Sequence, residues 1–305
     1  MQALVFHPSV QQIATWKDTL PFVRNQLCFN TRRDYAAEVR LFAQWSRKNV
    51  TEITLLDLMS YREALEAQGL KPATVAKKLT VLRRLFVFLH EQGILPHNPS
   101  AGLKVPTVRD ESGKDILTLE ECHRLLASVD TSTLRGKRDM AIFALLLIYG
   151  LRTCEIVRAN IGDIRSADGY WVMQVHGKGG KEADTRIRDD VYAVIRSYLD
   201  ARGEEDAESP LFLGTNHRSS QRLTTRSVQH MVKKYMKKVG IVRPNLTTHS
   251  LRHTAVTLVI LSGASILKAQ EFARHSSPTT TQRYYHNLEA MKDHAVMLSP
   301  IHIKA

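Results

Sequence analysis

The chain has 305 residues, enough for two domains of ordinary size, each with its own core. Lysine and arginine outnumber aspartate and glutamate by 43 to 30, a formal net charge of +13, and an ordinary 43% hydrophobic content without long low-complexity tracts excludes a disordered chain. The longest strongly apolar run, Ala141 to Leu151, is about half of what a bilayer span needs, so no membrane partner is expected.

The positive charge is spread along the chain: residues 1–104 hold 14 basic and 8 acidic residues, and the remainder 29 and 22. Two basic halves fit a clamp around a polyanion, the plain alternative being a soluble basic protein. Met1 to Val10 lacks a charged leader followed by an apolar core, so no signal peptide is expected. Cys28, Cys122 and Cys154 form no CxxC pair and are odd in number. They point to a reducing compartment, the cytoplasm, with neither a disulfide frame nor a zinc knuckle.

In chain order, residues 10–26 read as one helix that Pro21 breaks or bends. A second starts at Asn30-Thr31, with Asp34 placed for a capping box and Tyr35, Val39, Phe42 and Trp45 along one stripe. Thr54 with Asp57 opens a third, and Gly69 ends it. Pro72 starts a fourth, in which Val75, Leu79, Leu82, Phe86 and Leu89 repeat at heptad-like spacing while Lys77, Lys78, Arg83 and Arg84 lie off the stripe. Residues 10–94 therefore read as a small helical bundle with a basic outer face, which is either a solvated surface or a DNA contact.

Gly93, Pro96, Asn98, Pro99, Gly102 and Pro106, then a polar stretch from Val108 to Asp115, mark a domain boundary. The expected division is residues 1–104, a linker over 105–115, and a second domain over 116–305. In the second domain Thr118 with Glu121 starts a helix, and Lys137 to Tyr149 forms another that Gly150 ends. Trp171 to His176 and Thr185 to Arg188 are strand-like and flank Gly177-Lys178-Gly179-Gly180-Lys181, a hairpin signature. Helical patterns return at 190–201, 225–239, 251–262, 266–274 and 279–285. The fold class is thus mainly α: a helical bundle, then a mostly helical domain with a small antiparallel sheet.

Four places in the second domain carry candidate chemistry. Arg152 follows the helix-ending Gly150 and starts another helix near Glu155, which alone reads as an ion pair. Lys178 sits on a glycine-rich turn that lacks the GxxxxGK[ST] spacing of a phosphate-cradling loop. His249 and His253 share a helix face as zinc pairs do, but Ser250 stands where that motif has its glutamate, and Arg252 sits on the same side to grip a phosphate. His275 precedes Tyr284 and Tyr285, aromatics that are ordinarily core or stacking residues.

Together these residues resemble the tyrosine recombinases, or phage integrases, particularly their compact two-domain bacterial members. The family pattern is an Arg in a G-[LM]-R-x-x-E context, a hairpin Lys, H-x-x-R, a His or Trp, and a Tyr about nine residues later. It falls on Arg152, Lys178, His249, Arg252, His275 and Tyr284, in family order, and the likeness covers nearly the whole chain. One departure is Ala273-Arg274-His275, where the family commonly has Leu-Gly-His. Tyr284 is preferred to Tyr285 because it keeps the nine-residue offset from His275.

The resemblance implies a SAM-like core-binding domain over 1–104 and a catalytic domain over 116–305. It implies site-specific recombination of double-stranded DNA through a 3′-phosphotyrosyl link and a Holliday junction, for integration, excision or resolution. It implies a homotetramer on DNA and neither cofactor nor metal; residues from about 288 to 305 either dock on a neighbouring protomer, as related tails do, or pack on their own domain. Two rivals stand beside it: a type IB topoisomerase, which uses similar groups without choosing sites, and a DNA-binding accessory protein that has lost catalysis.

Overall fold

The computed structural model describes residues 15–25, 29–107, 115–177, 182–203, 206–214, 221–275, 277–278 and 281–282, and the chain divides into two compact units, residues 1–111 and 112–305. The first unit is helical. A capping box between Thr15 and Asp18 opens a 3-10 turn over Trp16–Thr19, which leads into α1 (Leu20–Arg24). Pro21 lies in the first turn of α1 and begins a helix where the sequence reading had it break one: a missing N–H costs nothing there. Residues 10–14 of that expected helix fall outside the described residues.

α2 (Phe29–Ser46) starts before Thr31, so Asp34 is already inside it. Asp34 takes Lys77 Nζ at 3.0 Å. α3 (Leu55–Ala67) has the reciprocal Thr54–Asp57 capping box, and Gly69 follows it at φ 71°. α4 (Pro72–Glu91) begins on its proline and buries Val75, Leu79, Leu82, Phe86 and Leu89 against Phe42, Tyr61 and Val39. Of the expected α2 stripe, Tyr35, Val39 and Phe42 are buried, whereas Trp45 lies at the rim, its ring beside those of Phe42 and Tyr61.

The basic residues of α4 are only partly an outer face. Lys78 reaches the buried Glu38, which also accepts a 2.9 Å hydrogen bond from Tyr61, and Arg84 Nη1 donates to Tyr35 Oη at 2.9 Å. Lys77 pairs with Asp34, and Arg83 is exposed. Alternate-face patterning identifies residues off the apolar stripe but not partners on a neighbouring helix.

The second unit is built on α6 (Leu134–Leu147), which packs between α8 (Asp189–Arg202) and α10 (Thr248–Leu261). Its stretch from Ala141 to Leu147 is buried all round, as expected of a helix apolar on every side. α6 starts three residues before the expected Lys137 because Thr133 caps it, accepting from Gly136 N–H at 3.0 Å. Ahead of it, α5 (Leu119–Ala127) has the Thr118–Glu121 capping box. After it come α7 (Thr153–Arg158) and a sheet of β1 (Ile164–Ala167), β2 (Tyr170–His176) and β3 (Glu182–Ile187).

All pairing in the sheet is antiparallel, in the order β1-β2-β3, with Ile164 opposite Met173 and Met173 opposite Thr185. β1 was not expected from the sequence. Its link to β2 is the two-residue turn Asp168-Gly169, with both residues at positive φ (50° and 79°), a strong hairpin signal. Met173, Val175 and Ile187 enter the core, and Trp171 stacks on Tyr192 of α8 at 3.7 Å. α9 (Thr225–Lys238), α10 and α11 (Ile266–Ala273) complete the unit. α10 begins at Thr248, not Leu251, because Thr247 caps it. The expected helix over 279–285 is seen as helical backbone at Pro278, Thr281 and Gln282, and its remainder lies outside the described residues. Among the described residues no helix is long and apolar enough to cross a membrane.

Candidate active site

α6 ends in a sequence that turns sharply at Gly150, whose φ of 56° disfavours a side chain and where a Cβ would lie 3.4 Å from Ala255 Cβ. The turn places Arg152 as the N-cap of α7. A capping box is the local reason for its conformation: Arg152 N–H donates to Glu155 Oε2 at 2.7 Å, and its Nη1 donates to Glu155 Oε1 at 2.7 Å. Glu155 is buried. Burial pushes its carboxyl up, but the Arg152 N–H and the guanidiniums of Arg274 and Arg152 outweigh that and hold it below the usual carboxylate range.

Arg252 comes from α10, one turn after the exposed His249, and is only 3% exposed. Its Nη1 donates to Gly150 O and its Nη2 to Ala273 O. These contacts tie the turn before Arg152 to the end of α11, residues separated by more than a hundred positions in the chain. Two of the guanidinium nitrogens are thereby held by backbone carbonyls.

Beyond Ala273 the chain passes through Arg274, which closes α11 in the left-handed conformation (φ 49°, ψ 47°), and reaches His275. His275 N–H donates to Gln270 O at 3.1 Å, and His275 Nδ1 shares a 2.9 Å hydrogen bond with the hydroxyl of Thr281, which is fully buried. Thr281 precedes Tyr284 by three residues. Arg274 folds back so that Nη2 donates to Glu155 Oε2 at 3.2 Å. Burial lowers its pKa, Glu155 opposing and Arg152 adding to the effect.

The structure thus brings Arg152, Arg252 and the segment bearing His275 together. His249 stands on the same helix as Arg252, its ring 6.0 Å from that of His253. Lys178 and Tyr284, with Tyr285, lie outside the described residues. Near the hairpin that carries Lys178, His176 bridges Asp163 at 2.9 Å and Glu182 at 3.1 Å; the Asp163 hydrogen bond raises its pKa, with Glu182 adding to it. From the sequence, Gly150 is a helix end and Glu155 an ion-pair partner of Arg152, while Thr281 has no assigned role. Glu155 had a signal, its capping-box spacing from Arg152; Thr281 had none.

Among the described residues no cluster of three or more His, Cys, Asp or Glu is placed to hold a metal ion. A cavity of about 830 Å3 lined by Arg135, Arg222, Arg226, His230 and Lys234 contains none of the described candidate residues, Arg152, His249, Arg252 and His275.

Comparison with known proteins places this geometry. The phage integrase family profile matches residues 115–291, and that of the phage integrase N-terminal SAM-like domain matches residues 13–93. The chain belongs to the phage integrase family, the tyrosine recombinases. Among its relatives are tyrosine recombinase XerD of Listeria innocua, 30% identical over 87% of this chain and 90% of that protein, and tyrosine recombinase XerD of Vibrio cholerae, 29% identical over 92% of each. Among solved structures, the XerH site-specific recombinase bound to a palindromic difH substrate in a post-cleavage complex aligns with a TM-score of 0.73 at 19% identity, covering 92% of this chain and 83% of that one. The last likeness is one of fold: a helical SAM-like domain followed by a mostly helical catalytic domain with a small sheet.

Proposed function

We propose that this protein is a site-specific recombinase that cuts and rejoins DNA strands through a 3′-phosphotyrosyl intermediate and, in two rounds of exchange, a Holliday junction. The observation that carries the reading is that Arg252 holds both the carbonyl of Gly150, two residues before Arg152, and that of Ala273, two residues before His275. A phosphodiester bears one negative charge and approaches two in a pentavalent transition state. Paired guanidiniums stabilise that charge through planar hydrogen bonds to the non-bridging oxygens.

In the proposed step the phenolic oxygen of Tyr284 forms a bond to phosphorus while the bond from phosphorus to the 5′ oxygen breaks. His249 takes the phenolic proton, Lys178 gives a proton to the leaving 5′ oxygen, and His275 steadies the phosphate. The phosphotyrosyl bond keeps the energy of the broken one, so a 5′-hydroxyl of a second strand reverses the step without ATP. The complex of the Tn1549 transposon integrase with circular intermediate DNA, a protein of similar fold, supports double-stranded DNA as the partner here. We extend the reading to residues 1–104 as a core DNA-binding domain, to residues 116–305 as the catalytic domain, and to a homotetramer on paired sites.

The test begins by selecting a duplex from a random-sequence library with the Tyr284→Phe protein. A nicked form of that duplex, which loses a short fragment on cleavage, should trap the parent protein as a denaturant-resistant covalent complex. Tyr284→Phe should bind the duplex and give no adduct. If Tyr285→Phe is the inactive variant, the nucleophile is Tyr285. Relaxation of plasmids lacking the selected site at the same rate as those bearing it would make the enzyme a topoisomerase and sink the recombinase reading.

A further inference from the structure

Position 274 is a place for glycine. It ends α11 at φ 49°, where any residue with a Cβ is disfavoured, yet it carries one of the longest side chains. That side chain is not spent in solvent: it is 16% exposed, its Nη2 donates to Glu155 Oε2 at 3.2 Å, and its Nη1 donates to Phe272 O at 3.4 Å. Its Nε is buried with no hydrogen-bond partner among the described residues. A strained backbone kept for a buried cation directs attention to what that cation touches.

It touches the carboxylate that holds Arg152. Left alone with Glu155, Arg152 would satisfy both carboxylate oxygens in the bidentate geometry that guanidinium and carboxylate prefer, and its charge would be turned inward and neutralised. In the structure Oε2 is instead taken by the Arg152 backbone N–H and by Arg274, and the Arg152 guanidinium meets Glu155 only through Nη1 on Oε1. Two guanidiniums share one carboxylate, so this part of the site keeps a net positive charge.

Resting on the recombinase reading, we infer that Arg274 is a positioning residue. By occupying Glu155 Oε2 it confines Arg152 to a one-point contact and leaves its guanidinium available to the scissile phosphate. Arg274 acts through Arg152 and Glu155 and takes no proton itself.

The experiment uses the full chain and the selected nicked duplex. Arg274→Gly relieves the left-handed strain while removing one ion-pair partner of Glu155, and should remain folded, checked by its thermal melt. Its affinity for the duplex should stay within about threefold while covalent-complex formation slows at least tenfold, because Arg152 collapses onto both oxygens of Glu155. Arg274→Lys, whose ammonium still reaches Oε2, should recover to within about threefold of the parent rate. The inference is overturned if Arg274→Gly cleaves at the parent rate, if its loss lies in DNA affinity, or if Arg274→Lys is as slow as Arg274→Gly. A parent protein that forms no covalent complex overturns the recombinase reading and this inference with it; a competent parent with an indifferent Arg274→Gly overturns this inference alone.

Discussion

Glu155 serves three donors with two oxygens, and its titration is coupled to the site. Its folded pKa lies below its ordinary value of 4.5, so the folded state releases the proton more readily than the unfolded chain. The stability it contributes is therefore fully present above about pH 4.5 and is lost as pH falls through the lower, folded value. Glu155→Gln leaves two guanidiniums without their carboxylate. Removing one partner of a buried ion pair costs about 3–5 kcal/mol, and because Arg152 is 31% exposed a loss nearer 2 kcal/mol is expected at pH 7. Urea unfolding at pH 7 and again near pH 3 checks this: the gap between parent and variant should narrow in acid, and an equal gap at both pH values would contradict it. At this scale the sequence was a partial guide. The Arg152–Glu155 spacing is local and readable, but Arg252 finds carbonyls 102 and 21 residues away, and no pattern within its own helix reports them.

Elements were legible where their determinants are local. The boxes at Thr54–Asp57 and Thr118–Glu121 are written in four consecutive residues, and both helices begin where those residues place them. Errors came from caps passed over at Thr133 and Thr247 and from β1, whose turn carries an Asp-Gly signal that was not used. The α2–α4 contact is of another kind, since Lys78 and Glu38 are 40 residues apart and only the packed bundle joins them. It divides the basic residues of α4 into two functional groups. Lys78→Ala strands the buried carboxylate of Glu38 with Tyr61 as its remaining side-chain partner among the contacts described, and should destabilise the first unit by about 2–3 kcal/mol. Arg83→Ala, on the exposed face, should change stability by less than about 0.5 kcal/mol. If α4 lies on DNA, Arg83→Ala should also weaken binding and lower the salt slope of log K by about one unit. Thermal melts and binding measured across a salt series separate the two; a slope unchanged by Arg83→Ala would remove that residue from the interface.

For the whole molecule, two separate cores mean that binding and assembly can be tested apart. One cluster runs from Phe22 to Leu103, a second from Leu117 to Leu251, and a small third joins Val256, Ile260, Ala269 and Ala273, so each unit has the apolar interior of a domain. Both halves of the sequence are basic, which gives each a long-range attraction to DNA independent of the other. Assembly of several protomers needs a further contact. The stretch after Tyr284 carries Leu288, Met291, Val296, Met297, Leu298 and Ile301, more apolar surface than a solvated peptide usually shows; it lies outside the described residues. If it docks on a neighbouring protomer, deleting residues 288–305 should leave binding to one selected site within about threefold, since the charged groups proposed to meet phosphate lie upstream. The same deletion should abolish the four-protomer complex on paired sites, read by light scattering, and recombination with it. If the stretch packs on its own domain instead, the deletion should lower the melting temperature of the DNA-free protein, because the apolar surface it covers returns to water. Recombination by the truncated protein at the parent rate would remove the stretch from assembly altogether.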